Sequence, residues 1–267
     1  MRWTPIRAAL CLVVLTAGLA ACSPPAARGL HNEARTDYDP LQPLNRKIFW
    51  FNDHVDQYVL APVARGWDCI APDVVERSVA NFFANVRSPI VILNDVLQGK
   101  PKNAASDIGR FAVNSTVGVV GFFDYATPLG LEQHREDFGQ TLGWWGLPAG
   151  PYLMLPLLGP SNVRDTAGLI GDSASSIPPW FVSWWILVPP RAAEAVNARA
   201  LLLQQIDEAK QAAFDYYVFV RDAYLQSRNA LMNDRAPGTG GGDTDDLYHP
   251  DVAPPGAVVP PYGGSQL

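Results

Sequence analysis

The sequence predicts an all-α domain made of many short helices, and three observations carry that prediction. Apolar residues recur at spacings of three and four through most of the central chain. Prolines and glycines stand at the ends of those periodic stretches. Strand signals surface at one place, Pro151-Tyr152-Leu153-Met154-Leu155-Pro156. In order, Leu44, Ile48, Phe51, Val55 and Tyr58 define an amphipathic helix that should stop before Pro62. Pro72 opens the next, whose face continues through Val75, Val79, Phe82 and Phe83. Residues 89–98 read as a separate short helix closed by Gly99, and residues 101–116 as another that breaks at Gly118 and Gly121. Residues 137–145 are helical, Ser161 caps a helix reaching about Asp172, and 190–213 and 214–233 are the strongest helices. The prolines around 151–156 suit a short hairpin or an extended loop.

The chain divides by composition. Residues 1–21 read as a cleavable leader: Arg2 and Arg7 form a positive n-region, and the apolar stretch 8–18 is too short for a spanning helix of about 20 residues. Leu19-Ala20-Ala21-Cys22 follows as a lipobox. The Cys22 thiol is the nucleophile that accepts a diacylglyceryl group, and the amine freed by cleavage is then acylated. One acyl chain binds a membrane with an association constant of only about 10⁴ M⁻¹, so three should hold the protein permanently. Ser23 stands where an aspartate would retain a lipoprotein in the inner membrane, which favours the outer membrane. Residues 22–38 are a lipidated, proline-containing tether and 39–234 the folded helical domain. Residues 235–267 are a Gly/Pro/Asp-rich tail with too little apolar area to order itself.

Composition narrows the function. Without the leader's two arginines and the tail's four aspartates, the body is mildly acidic with no basic run, so nucleic-acid binding has no electrostatic footprint. Apolar residues make up 48%, with eight tryptophans, against 17% charged residues. Ordinary domains carry about 25% charged residues. Either the core is unusually large or part of the outside faces lipid. Cys11 leaves with the leader and Cys22 is lipidated, so Cys69 has no disulfide partner and reads as a buried small apolar residue.

Nothing in the chain asks to be an enzyme, a metal protein or a cofactor carrier. His31, His54, His134 and His249 stand at no metal-ligand spacing, and no nucleophile elbow is present. The run Glu132-Gln133-His134-Arg135-Glu136-Asp137 reads as a solvated helix N-terminus. The aromatic segment 180–188, with Trp180, Trp184 and Trp185, is bracketed by Pro178-Pro179 and Pro189-Pro190 and is too short to span. Two readings fit it: an in-plane element at headgroup depth, or an aromatic core plug.

Several stretches carry a resemblance. Asp39-Pro40-Leu41-Gln42-Pro43-Leu44-Asn45-Arg46, Phe51-Asn52-Asp53, Tyr58-Val59-Leu60-Ala61-Pro62-Val63, Asn81-Phe82-Phe83-Ala84-Asn85 and Leu97-Gln98-Gly99-Lys100 come first. After them stand Arg110-Phe111-Ala112-Val113-Asn114-Ser115-Thr116-Val117-Gly118, Glu136-Asp137-Phe138-Gly139-Gln140-Thr141-Leu142-Gly143 and Leu155-Pro156-Leu157-Leu158-Gly159-Pro160-Ser161-Asn162-Val163-Arg164-Asp165. In this order they resemble the MlaA (VacJ-like) outer-membrane lipoproteins over residues 39 to about 172. The resemblance implies a ring of short amphipathic helices lying in one membrane leaflet around an amphipathic channel. It implies removal of mislocalised phospholipids from the outer leaflet, delivery to a periplasmic lipid-binding carrier of the MlaC type, and association with trimeric porins. Phe51, Asn52, Asp53, Trp180, Trp184 and Trp185 become the candidate channel or membrane-contact residues. A scaffold lipoprotein that braces envelope proteins without moving lipid is the second reading; a lipid hydrolase lacks any visible nucleophile–base pair.

Overall fold

The computed structural model describes residues 39–176 and 184–233; the leader, Cys22, the tether, Trp180 and the tail lie outside them. The described chain is helical apart from one two-stranded hairpin. Helix α1 (Gln42–Val55) runs through a π-helical turn (Asp56–Leu60) into α2 (Ala61–Ile70). The helix therefore does not stop at Pro62 as its sequence suggests. Pro62 falls in the first turn after the π segment, where the lost N–H and the ring of a proline are tolerated.

Helix α3 (Asp73–Leu97) likewise continues through Pro89, joining two stretches that read as separate helices. Its packing along α4 (Pro101–Thr116) outweighs the roughly 3 kcal/mol an interior proline costs. The turn after α4 ends at Gly121, φ +94°, where a Cβ would stand 2.3 Å from that of Asn85 on α3. Helix α5 (Phe138–Trp144) is capped by Asp137, which accepts from Gln140 N at 2.8 Å. Strands β1 (Tyr152–Leu155) and β2 (Gly159–Asn162) pair antiparallel, Tyr152 opposite Asn162, as the proline-flanked segment allowed.

Helix α6 (Val163–Ser175) is capped by Asn162, not Ser161: Asp165 N donates to Asn162 Oδ1 at 2.8 Å, while Ser161 is buried in β2 beside Thr166. Helix α7 (Trp184–Ala200) starts before the Pro189-Pro190 pair, costing ladder hydrogen bonds without ending the helix. Helix α8 (Leu203–Ala212) then separates it from α9 (Tyr216–Met232), so 190–213 is two helices. Cys69 is exposed near the end of α2 and is not the buried residue expected.

The elements pack α3 on α4, α7 on α2 and α3, α5 on α6, and β2 against α6 and α9. One small apolar core holds Tyr152, Met154 and Tyr217, with Ile48 and Phe49 against it. The hairpin is fixed to α1 by side chains. Asn45, 1% exposed, donates to Tyr152 O at 3.0 Å and accepts from Met154 N at 2.9 Å.

Burial is otherwise inverted. The bulky side chains most completely hidden among the described residues are Asn45, Asn94, Thr141 and Asp95, all polar. Large apolar side chains face outward instead, including Tyr58, Ile70 (81% exposed), Leu157 and Ile170. No helix of the described residues is long and apolar enough to cross a membrane.

Candidate functional site: a polar cavity among the helices

A further set of buried polar residues, among them Asn85, Asp107, Arg110, Asn114, Glu136 and Asp165, lines a cavity of about 820 Å³. Its wall is built from α3, α4, the 133–137 loop, the hairpin, α6, α7 and α9. Helix α4 places Asp107, Arg110 and Asn114 on one buried stripe, as spacings of three and four require. Arg110 donates to Asp124 Oδ2 at 2.8 Å and Asn114 to Asp124 Oδ1 at 3.1 Å, tying the turn after α4 back onto it. A second chain of bonds links the C-terminal end of α3, α5 and the 133–137 loop. Thr141 donates to Asn94 at 2.7 Å, Gln98 donates to Glu136 at 2.8 Å, and Lys100 closes on Glu136 at 2.9 Å. Apolar Ile90, Val91, Leu158, Leu169 and Leu231 complete the wall, so the cavity has two characters.

Charge in this space is paired with few exceptions. Arg228 donates to Asp137 Oδ1 at 2.7 Å and to Asp165 Oδ1 at 3.0 Å. Burial opposes the charge on Asp137, but Arg228 overcomes it and holds that carboxyl below the usual range. Asp95 is fully buried, and neither of its oxygens receives a hydrogen bond from an N–H or hydroxyl. Burial and the carboxylates of Asp107 and Glu136 push it up to about 7. A proton held on Asp95 accounts for the arrangement. His134 Nδ1 meets Asp107 Oδ2 at 2.8 Å, a bond that raises the imidazole against the opposing effect of burial. Asp172 is held by Asn94 Nδ2 at 3.2 Å and Phe138 N at 3.1 Å; burial, then Asp137, pushes it up to about 6.

A polar, roomy interior behind an apolar exterior is the arrangement expected of a protein whose surroundings are hydrocarbon. The profile of MlaA lipoproteins matches residues 37–231 of this chain. The chain belongs to the MlaA lipoprotein family. It is 35% identical over 204 residues to the intermembrane phospholipid transport system lipoprotein MlaA of Haemophilus influenzae, covering 73% of this chain and 80% of that one. The protein of the same name from Escherichia coli K12 is 33% identical over 212 residues, covering 78% and 83%. An uncharacterized protein of Rickettsia prowazekii is 33% identical over 200 residues, covering 73% and 78%. A chain solved in work on the structural basis for maintenance of bacterial outer membrane lipid asymmetry superposes with a TM-score of 0.65 at 32% identity. It covers 73% of this chain and 100% of that chain.

In this MlaA-family chain, Phe51, Asn52 and Asp53 lie outside the cavity wall. Phe51 is exposed on α1. Asn52 donates to Leu155 O at 2.9 Å and accepts from Leu157 N at 2.8 Å, clamping the hairpin turn. Asp53 pairs with Lys210 of α8 at 2.7 Å. Trp184 and Trp185 open α7, and their side chains, like all of Trp180, lie outside the described residues. The 132–137 run is not a solvated N-terminus: Glu136 is buried, Asp137 is bound by Arg228, and His134 by Asp107. Sequence reasoning passed over Asn94, Asp95, Gln98, Asp107, Arg110 and Asn114. Their signal was present, as polar residues at helical spacing on helices whose other positions are apolar, in a chain short of charge.

Proposed function

We propose that this MlaA-family lipoprotein serves intermembrane phospholipid transport at the outer membrane, and that the cavity is the passage for the lipid headgroup. The observation that carries this reading is the inverted burial: polar side chains line an interior space while bulky apolar ones face out. A headgroup needs a hydrated, hydrogen-bonding path, whereas its acyl chains remain in contact with lipid or with an apolar wall. The helices lie within one leaflet, the protein is held by acyl chains on Cys22, and Phe51, Trp180, Trp184 and Trp185 meet lipid at its edge. Phospholipid misplaced in the outer leaflet enters the cavity and leaves to a periplasmic lipid-binding carrier, beside a trimeric porin. No covalent step is required.

Outer-leaflet phospholipid tests the reading in three strains: wild type, deletion, and a deletion complemented with Leu169→Trp/Ser173→Trp, which fills the cavity from α6. Transport through the cavity makes the filled, membrane-assembled variant accumulate phospholipid as the deletion does. A filled variant that restores the wild-type distribution favours the scaffold reading and rejects the passage.

A further inference from the structure

Two poles of opposite charge face the cavity without balanced partners. On one side, Arg87 and Arg191 both bind a single carboxylate, Glu194, at 3.0 and 3.2 Å, which leaves that group with one positive charge in excess. Both guanidinium groups border the cavity and are largely exposed, so they are free to turn toward an anion. On the other side stands Asp172. Its partners, Asn94 Nδ2 and Phe138 N, are neutral, and among the described residues it makes no ion pair. Every other carboxylate on the wall has a cationic neighbour: Asp107 has His134, Asp124 has Arg110, Glu136 has Lys100, and Asp137 and Asp165 have Arg228. Arg87 lies close enough for its field to reach Asp172.

We propose that this pair of poles is a headgroup subsite for a phospholipid carrying a primary ammonium, with Arg87 and Arg191 on the phosphate and Asp172 on the ammonium. The proposal rests on the cavity being the headgroup passage. A carboxylate next to neutral donors keeps lone pairs for a cation, and an ammonium supplies three donors to use them. The elevated pKa of Asp172 agrees with an anion lacking its counter-charge, and an arriving ammonium would bring it down. A quaternary ammonium is not the matching ligand, because such groups are held by several aromatic faces and Tyr224 is the one aromatic residue among the described wall. An anionic headgroup without a cation meets the guanidinium pole but is repelled at Asp172.

The test uses the full-length lipoprotein reconstituted in vesicles of equal parts phosphatidylethanolamine and phosphatidylglycerol, each with a photoreactive acyl chain. Cross-links to α6 are counted by mass spectrometry. The wild type should capture phosphatidylethanolamine over phosphatidylglycerol by roughly tenfold to a hundredfold, the range of one charge-assisted contact. Asp172→Asn, which keeps an acceptor for Phe138 N, should bring that ratio to about one, and Arg87→Ala/Arg191→Ala should lower capture of both lipids with the ratio kept. Melting curves establish that each variant is folded. Equal capture by the wild type, or an unchanged ratio in folded Asp172→Asn, overturns the subsite while leaving the passage standing. If neither lipid reaches α6, the passage itself fails.

Discussion

Asn45 makes a quantitative case for how the hairpin is held. Its amide faces Tyr152 O, Met154 N and Asp39 Oδ1, at 3.0, 2.9 and 2.9 Å, and almost no water reaches it. Asn45→Ala removes little hydrocarbon, so a packing account gives a small effect. Stranding the Tyr152 carbonyl and the Met154 amide instead costs about 1–3 kcal/mol each, so the loss is roughly 2–6 kcal/mol. For a domain near 200 residues that lowers the melting temperature by about 5–20 °C. Asn45→Asp is the sharper change, because it keeps the acceptor for Met154 N but sets a carboxylate oxygen against Tyr152 O and Asp39. Thermal unfolding of the reconstituted protein gives the magnitude, and amide exchange at Met154 gives the site. An Asn45→Ala protein within about 0.5 kcal/mol of wild type, with Met154 still protected, would refute the argument.

Three further outcomes are expected. The folded protein holds a proton on Asp95 that the unfolded chain releases near pH 4, so stability falls as pH rises from about 4 to about 7. Asp95→Asn removes that loss, on the order of 4 kcal/mol above pH 7, and unfolding scans from pH 4 to 8.5 should find its advantage growing with pH; a gap constant across the range contradicts the proton on Asp95. Deleting Phe51 and Asn52 turns the remainder of the helix by about 200° and removes the Asn52 clamp on the hairpin turn. Phospholipid should then flow into the outer leaflet beyond the level of the null strain, and a stable deletion protein that only matches the null rules out gating by α1. Cys22→Ala should abolish labelling by a palmitate analogue and leave an unprocessed or mislocalised precursor; labelled, outer-membrane protein would reject the anchor site.

The helical class, the hairpin and most helix starts could be read from period and punctuation, because those signals are local. The joins at Pro62, Pro89 and Pro189 could not. Whether a proline ends a helix depends on its surroundings: a π turn precedes Pro62, α4 packs along the helix that holds Pro89, and α7 runs through Pro189-Pro190. The cavity was missed for a related reason. A polar stripe on an amphipathic helix is ordinarily its water-facing side, and the sequence alone does not say that Asp107, Arg110 and Asn114 look inward while Ile70 and Ile170 look out. The charge deficit left two readings open, a large core or lipid contact, and named no residue. Asn52 and Asp53 stand out as part of a motif, and their contacts brace the hairpin and α8.

The inverted interior also changes how the protein should respond to temperature. In a water-soluble domain, unfolding bares mostly apolar surface, which raises the heat capacity by about 0.45 cal/K/mol per Å², while polar surface lowers it by about 0.26. Here the side chains released from hiding include Asn94, Asp95, Thr141 and Arg164, and much of the hydrocarbon is outside from the start. The two contributions then tend to cancel, and the heat-capacity increment drops below the roughly 12–15 cal/mol/K per residue of ordinary domains. A small increment flattens the stability curve on both sides of its maximum. Cold growth and warm growth would thus weigh on this lipoprotein far less unequally than on a water-soluble protein of the same size.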